Sequence, residues 1–279
     1  MLQKLAVVGL CLGVLLPGYS VAAAPAVAAK PAGSKSSLNL ETTKKTLESG
    51  DEALALAALD EIELSGDKRA APLIEQLLAR GASIKLLLRA IGVAGALAQE
   101  SSSGALAPYV KHRSPDVRRA AAQSLAHTKG SLAVQALRDA LRGNDAGLRG
   151  TAAEGLGALG AKSAVPDLFV VLPKEVPEAA GALGLLCSEN ECQRFVGLLG
   201  KLPFDVMESG FLPLLLRTGS DVPDAVKLHL IEELRRMATQ KASALLSTAL
   251  ASFPANGNPK IRSAIDGALH GHPVTSSEP

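Results

Sequence analysis

The chain has 279 residues, of which 47% are hydrophobic, 20% are charged and 3% are aromatic, and its formal net charge is +2 at pH 7. This length suffices for one large core or for an elongated array, and the nearly neutral charge gives no indication of a nucleic-acid or anionic-membrane partner. Alanine and leucine dominate, and tryptophan is absent. Because small side chains let helices approach closely, the composition favours stacked helical hairpins over a single globular core.

The N-terminal segment has the pattern of a secretory signal peptide. Lys4 gives it a positive start, residues 5–16 form an uncharged apolar run, and small residues follow. The pattern predicts that residues 1–29 are a signal peptide. Cleavage is predicted after Ala23 or after Ala29, because each has a small aliphatic residue two positions before it. The predicted location of the mature protein is therefore periplasmic or secreted.

An uncleaved membrane anchor is the alternative for the same segment, because residues 5–29 carry no charge. The second half of this stretch is rich in alanine and interrupted by proline, which fits poorly with a spanning helix of about 20 residues. We therefore expect no stable membrane span after cleavage.

Residues 30–39 are mostly polar, lack periodicity and are predicted to be a flexible linker.

Helical hairpins are predicted along the rest of the chain, because apolar residues recur at steps of three and four, the spacing of one buried helical face. In chain order the predictions are a capping helix at 40–49, hairpins at 51–80 and 82–112, two hairpins within 114–172, a shortened hairpin at 175–200, an irregular helix or broken hairpin at 203–218, a hairpin around 226–250, a half-repeat at 258–269 and a disordered tail at 271–279.

The two hairpins within 114–172 contain one pattern twice, offset by 31 residues. The equivalent positions include Arg118 with Arg149, Leu125 with Leu156, Leu137 with Leu168, and Leu141 with Leu172. Self-similarity at a fixed period predicts stacked supersecondary units. The hairpin at 175–200 follows at an offset of 27, so four residues are predicted to be missing from a loop.

The repeated residues resemble the short HEAT-like repeats that are also found in relatives of phycobilisome lyases. The residues that carry the resemblance are Asp116, Val117, Arg118, Ala121, Ala122 and Leu125, followed by Leu137 and Leu141. It implies an all-α fold, an α-solenoid (superhelix) of about seven stacked helical hairpins over residues 40–270. It also implies that the repeat arginines pair with acidic or carbonyl groups of adjacent repeats; these are Arg118, Arg149 and Arg262.

Cys187 and Cys192 are predicted to lie at the turn between the two helices of the shortened hairpin. In an exported protein, an even pair across a turn suggests a disulfide, and the alternative is two reduced, half-buried cysteines. A metal site would require more ligands than the neighbouring Glu189 and Glu191 supply. Redox catalysis usually uses a closer spacing of cysteines.

No catalytic pattern occurs in the sequence. The five histidines are scattered, none is followed by glutamate, and phosphate-cradling loops and nucleophile motifs are absent. We therefore predict an exported, non-enzymatic protein–protein interaction scaffold without a cofactor or metal, whose partner is a protein or peptide of the cell envelope. Nucleic acid is a poor partner for an exported protein that lacks a set of aromatic residues on which bases could stack. The alternative, implied by the resemblance only, is a lyase-like or enzyme-accessory protein that handles a tetrapyrrole or a partner's cofactor.

A partner-binding face is predicted on the second helices of the hairpins. Lys111, Arg138 and Arg142 follow positions predicted to face the core, so they are expected to turn outward and form a basic ladder across stacked repeats. Phe169, one period after Arg138, is predicted to extend this ladder with an apolar flank. The alternative is that the row containing Arg138 and Phe169 packs against the next hairpin.

Overall fold

A computed structural model describes residues 38–218 and 222–270. The predicted signal peptide and tail, and nearly all of the predicted linker, lie outside these residues. Leu38 and Asn39, which the sequence assigned to the linker, belong to the folded unit. Leu38 is 5% exposed in the core, and the Asn39 side chain accepts a hydrogen bond from the Thr42 backbone N–H at the start of the first helix.

The regular elements over the described residues are helical, which confirms the all-α prediction. The first eight α-helices are α1 (Leu40–Glu48), α2 (Glu52–Ser65), α3 (Ala71–Arg80), α4 (Ile84–Leu97), α5 (Ser102–Leu106), α6 (Pro115–Thr128), α7 (Gly130–Leu141) and α8 (Ala146–Ala158). The next seven are α9 (Val165–Val171), α10 (Pro177–Leu186), α11 (Glu189–Val196), α12 (Phe204–Leu216), α13 (Asp224–Met237), α14 (Gln240–Ala251) and α15 (Pro259–Leu269). Short 3-10 turns accompany them at Lys68–Ala70, Ala107–Lys111, Lys162–Ala164 and Leu172–Lys174.

The helices stack in two layers. In one layer α2, α4, α6, α8, α10, α12 and α14 pack in sequence, each against the next. In the other, α1, α3, α5, α7 and α9 pack in the same way, and α11 packs against α13, which packs against α15. This alternation is an α-solenoid of stacked helical hairpins, as predicted.

The repeated leucines form the core that joins neighbouring hairpins. Leu125, Leu137, Leu141 and Leu156 are fully buried. A single hairpin cannot bury its own apolar face, so each unit depends on its neighbours for this burial. Complete burial of one such side chain contributes roughly 1.5–3 kcal/mol. The core therefore extends along the array rather than forming a separate centre in each unit.

Two glycines allow α10 and α12 to approach each other closely where they cross. A Cβ atom added to Gly184 would lie 2.0 Å from the carbonyl oxygen of Gly210, and one added to Gly210 would lie 2.2 Å from the carbonyl oxygen of Ala180. Backbone therefore packs directly on backbone at this crossing.

The fifth hairpin is shorter than the fourth in two places. The connection from α10 to α11 spans residues 187–188, whereas that from α8 to α9 spans 159–164, and this difference of four residues agrees with the predicted loss from a loop. The first helix is also shorter, because α8 has 13 residues and α10 has 10. Pro177 at the first position of α10 fixes the start of the shorter helix.

Residues 203–218 contain one continuous helix, α12, rather than a broken hairpin. Because α12 packs against α10, it occupies the place of a first helix, and α13 falls into the layer of the second helices. Val226, which aligns in sequence with Val117 of α6, therefore lies in the opposite layer. The alternation of the two layers thus continues without a shift, with α14 in the layer of the first helices and α13 and α15 in the layer of the second helices.

Candidate partner-binding surface

Arg138 of α7 and Arg142, the residue after the end of this helix, share one carboxylate from the next unit. Arg138 donates from Nε to Oδ2 of Asp167 at 2.6 Å, and Arg142 donates from Nη2 to Oδ1 at 2.8 Å. The Asp167 side chain, in the first turn of α9, is 13% exposed. The two arginines of the predicted ladder therefore connect α7 to α9. The sequence analysis missed Asp167 because the partners lie 29 and 25 residues apart, on different helices.

Lys111 lies at the end of the 3-10 turn that follows α5 and is exposed. Within residues 38–218 and 222–270, no hydrogen bond or ion pair joins it to Arg138 or Arg142. The predicted ladder of three basic residues is thus one exposed lysine and two arginines that are bound to an acid.

Phe169 is a correction to the predicted binding face, because it is only 7% exposed. The guanidinium carbon of Arg194, on α11, lies 4.2 Å from the centroid of its ring, a cation–π contact between consecutive units. Val196, at the next equivalent position, is 1% exposed. At Phe169 the alternative interpretation from the sequence is therefore correct: the side chain packs against the next hairpin and does not form an exposed binding face.

The repeat arginines are paired as the HEAT-like resemblance implied, at two of the three positions. Arg118 donates from Nε to Oδ2 of Asp145 at 3.1 Å, and Asp145 is the residue that caps the N-terminus of α8 in the next unit. Arg149 donates to the carbonyl oxygen of Gly143 at 3.0 Å. Arg262 lies on α15 and is exposed.

The two linking carboxylates are held in their charged form. The hydrogen bond from Arg118 lowers the pKa of Asp145, and the backbone N–H of Leu148 adds to the effect. Burial raises the pKa of Asp167, but the hydrogen bonds from Arg142 and Arg138 outweigh it, so this pKa also lies below its ordinary value. Both carboxylates therefore stabilise the folded state while they are ionised.

Acid is expected to remove this stabilisation. Because both pKa values are depressed in the folded state, the contribution is complete above the ordinary aspartate pKa of about 3.9 and is lost as the pH falls through the depressed values. Urea denaturation at pH 7, 5 and 3 should show the wild-type protein more stable than an Asp145→Asn, Asp167→Asn double variant at pH 7 and 5. The difference should shrink at pH 3. A difference that stays constant down to pH 3 would contradict this assignment.

A cleft of about 830 Å³ opens between the third and fourth hairpins, and we name it the basic cleft. Its cations are Lys129, in the turn between α6 and α7, Arg138 of α7, and Lys162, in the 3-10 turn before α9. Val134 and Leu159 are among its apolar residues. No acidic side chain of the described residues lines it. Glu100, outside this lining, packs over Gly130 at the start of α7.

A disulfide joins Cys187, the residue after the end of α10, to Cys192 in α11. Both cysteines are fully buried. Ser188 and Glu191 form a capping box at the start of α11, and Arg217, next to the end of α12, donates to the carbonyl oxygen of Cys187 at 2.8 Å. The bridge thus lies where three consecutive helices meet.

We predict that Cys187 and Cys192 resist alkylation in the protein expressed with export to the periplasm of a host cell. Iodoacetamide should be added in 6 M guanidinium chloride, where burial no longer protects a thiol, and the adducts counted by mass spectrometry. Without reductant neither cysteine should be labelled, and after reduction both should be. Labelling of both without reductant would exclude the bridge.

Comparison with known proteins supports the repeat assignment. Residues 71–152 match the family model described as HEAT repeats, and no curated protein matches the chain. Among solved structures, the chain is similar to the complex of CpcE and CpcF of phycocyanin lyase from Nostoc sp. PCC7120, with 20% identity, a TM-score of 0.48, and coverage of 88% of this chain and 99% of that chain. It is also similar to a designed armadillo repeat protein in complex with the peptide (KR)4, with 16% identity, a TM-score of 0.42, and coverage of 85% and 100%.

The matched segment begins at α3 and ends within α8, so it includes Asp116, Arg118 and the other residues from which the resemblance was inferred. None of the helices that the structure describes is long and apolar enough to cross a membrane. The predicted resemblance is confirmed for the matched segment: residues 71–152 match HEAT repeats, within a chain that folds as an α-solenoid over the described residues.

Proposed function

We propose that the chain is an exported, non-enzymatic scaffold that binds a protein or peptide partner in the bacterial cell envelope. The observation that carries the proposal is the basic cleft, an open surface feature formed by two consecutive hairpins. Its lining combines lysine, arginine, serine and glutamine with small and apolar residues. These residues can bind a partner through hydrogen bonds, charge and apolar contacts. Stacked repeats offer extended surfaces for such binding.

Export is supported by two independent features. The charged start, apolar run and small residues of segment 1–29 are the signature of a secretory signal peptide, although this segment lies outside the described residues. The disulfide between Cys187 and Cys192 suits an oxidising compartment such as the periplasm.

Export has a direct test. The protein should be recovered from the soluble periplasmic or secreted fraction of the native cells, and its N-terminus determined by mass spectrometry. We expect an N-terminus between Ala24 and Lys30. A chain that begins at Met1 and sediments with the membranes would favour the uncleaved anchor and contradict the proposal.

Partner binding requires crosslinking in intact cells, because an exported scaffold meets its partner only in the envelope. Crosslinking followed by affinity purification should yield a protein adduct that is absent when the same chain is retained in the cytoplasm by deletion of residues 1–29. A bilin-binding assay on the purified chain tests the alternative function. A stoichiometric shift in bilin absorbance, with no protein adduct in the envelope, would favour tetrapyrrole handling instead.

A further inference from the structure

We propose that the basic cleft binds an acidic peptide segment of the partner, with an apolar side chain of that segment resting on the floor of the cleft. This inference rests on the proposed function, because it names the chemistry of the partner that the scaffold would recognise. It is carried by the arrangement of charge, by the way Arg138 is held, and by the form of the floor.

The charged side chains that line the cleft are basic. Lys129 and Arg138 come from the third hairpin, and Lys162 comes from the connection within the fourth; among the described residues, no acidic side chain belongs to the lining. Arg138 is paired with Asp167, which lies outside the lining. A concentration of one sign in a concave site favours a ligand of the opposite sign.

Arg138 is positioned before a ligand arrives. Its Nε donates to Asp167, which fixes the plane of the guanidinium, and Asp167 itself is not part of the cleft lining. A guanidinium has five N–H donors in a fixed fork and matches a carboxylate with two parallel hydrogen bonds. Because the side chain is already ordered by the ion pair, binding costs less side-chain entropy than it would for a freely moving arginine.

The floor distinguishes a peptide from a small inorganic anion. Val134, Leu159 and Ala126 are partly buried, Ala161 is buried and Ala158 is exposed; we call these five apolar lining residues the floor of the cleft. A volume of about 830 Å³ is within the range of sites for drug-sized ligands. An acidic segment with an apolar residue uses both the rim and the floor, whereas phosphate or citrate would contact only the charges.

The test uses the full mature chain and fluorescein-labelled hexapeptides, with binding followed by fluorescence anisotropy. The acidic probe has the sequence Glu-Leu-Glu-Glu-Leu-Glu. Its controls are the same peptide with lysine for glutamate, and the same peptide with alanine for leucine. We expect the acidic probe to bind, the basic probe not to bind, and the leucine-free probe to bind more weakly. Raising the salt from 50 mM to 500 mM should weaken binding, because exposed charges are screened.

Variants locate the site. The double variant Lys129→Gln, Arg138→Gln should weaken binding of the acidic probe by about tenfold or more, since a hydrogen bond to a charged group contributes at least about that factor. Arg142→Gln is the control: it removes one positive charge, compared with two in the double variant, and like Arg138→Gln it breaks a hydrogen bond to Asp167, but Arg142 is not part of the cleft lining. It should change the affinity less than twofold. Ala158→Trp should block binding by filling the floor without changing the charge.

The outcomes separate this inference from the proposed function. Equal loss of binding in Arg142→Gln would place binding on the basic surface in general and overturn the inference. The inference would also be overturned if the acidic probe did not bind, or if the double variant bound it with unaltered affinity. It would be overturned as well if phosphate or citrate competed as effectively as unlabelled peptide. If the double variant still gives the wild-type adduct in the envelope, the scaffold function stands and only the cleft assignment fails. If no variant and no wild-type chain gives an adduct while the acidic probe binds, the proposed function fails instead.

Discussion

The substitution Gly184→Ala is expected to lower the free energy of unfolding by about 3 kcal/mol. The new Cβ would lie 2.0 Å from the carbonyl oxygen of Gly210, on the helix that packs against it. The atom that the new Cβ would meet belongs to the backbone of Gly210, so no side chain can rotate away to relieve the contact. Helices α10 and α12 must move apart, and the apolar packing around Phe195 and Phe211, whose ring centroids lie 5.4 Å apart, is disturbed with them.

Two other helical glycines are matched controls for this substitution. Gly181 lies on the same helix, and a Cβ there would meet nothing closer than 3.7 Å; at Gly92, on α4, nothing lies within 4 Å. Because glycine is a poor residue in a helix interior, alanine should stabilise the protein by about 0.5–1 kcal/mol at these sites. Urea denaturation followed by circular dichroism measures all three. Equal stability of Gly184→Ala and Gly181→Ala would contradict the close packing of α10 on α12.

The second large effect is expected for Asp145→Ala, which should lower the free energy of unfolding by about 2–3 kcal/mol, the sum of a lost helix cap and a lost charged hydrogen bond. The carboxylate caps α8 by accepting from the backbone N–H of Leu148 at 3.0 Å. It also pairs with Arg118 of the preceding unit, and the two side chains are 25% and 21% exposed. One substitution thus removes an N-cap and a contact between repeats.

Asp116→Ala is the control for the charge alone. Asp116 pairs with Arg119 on the same helix, where the two side chains are 68% and 47% exposed. An exposed pair of this kind contributes about 0.5 kcal/mol or less, so this variant should unfold close to the wild type. If both aspartate variants were equally stable, Asp145 would not link the third and fourth hairpins.

The repeated pattern was sufficient to predict the regular part of the fold. Leu125, Leu137 and their equivalents lie at fixed spacing and are fully buried, because burial of one helical face depends on local periodicity. The place of α12 could not be predicted in this way. Its packing depends on Gly184 and Gly210 meeting across two helices, and such a contact leaves no periodic signal in either segment.

The candidate surface was predicted less completely, for a related reason. Arg138 and Arg142 were expected to be exposed from their position after core leucines, but their contact with Asp167 depends on the rotation of α7 against α9. The basic cleft left a weak signal in the sequence: Lys129 and Lys162 stand 33 residues apart, close to one repeat, in the connections of consecutive hairpins. Lys129 has a positive φ of 63°, which cannot be inferred from its residue type.

Site-specific photocrosslinking in the envelope tests the central proposal most directly. A benzophenone amino acid is placed at Ser163, which lines the basic cleft, or at Ser263, an exposed position on α15, in the full chain expressed in its native cells. We predict one protein adduct at Ser163 that the unlabelled acidic peptide abolishes, and no such adduct at Ser263. Identical adducts at both positions, or none at Ser163 in a chain that is exported and folded, would contradict the proposal that this scaffold binds its partner through the cleft.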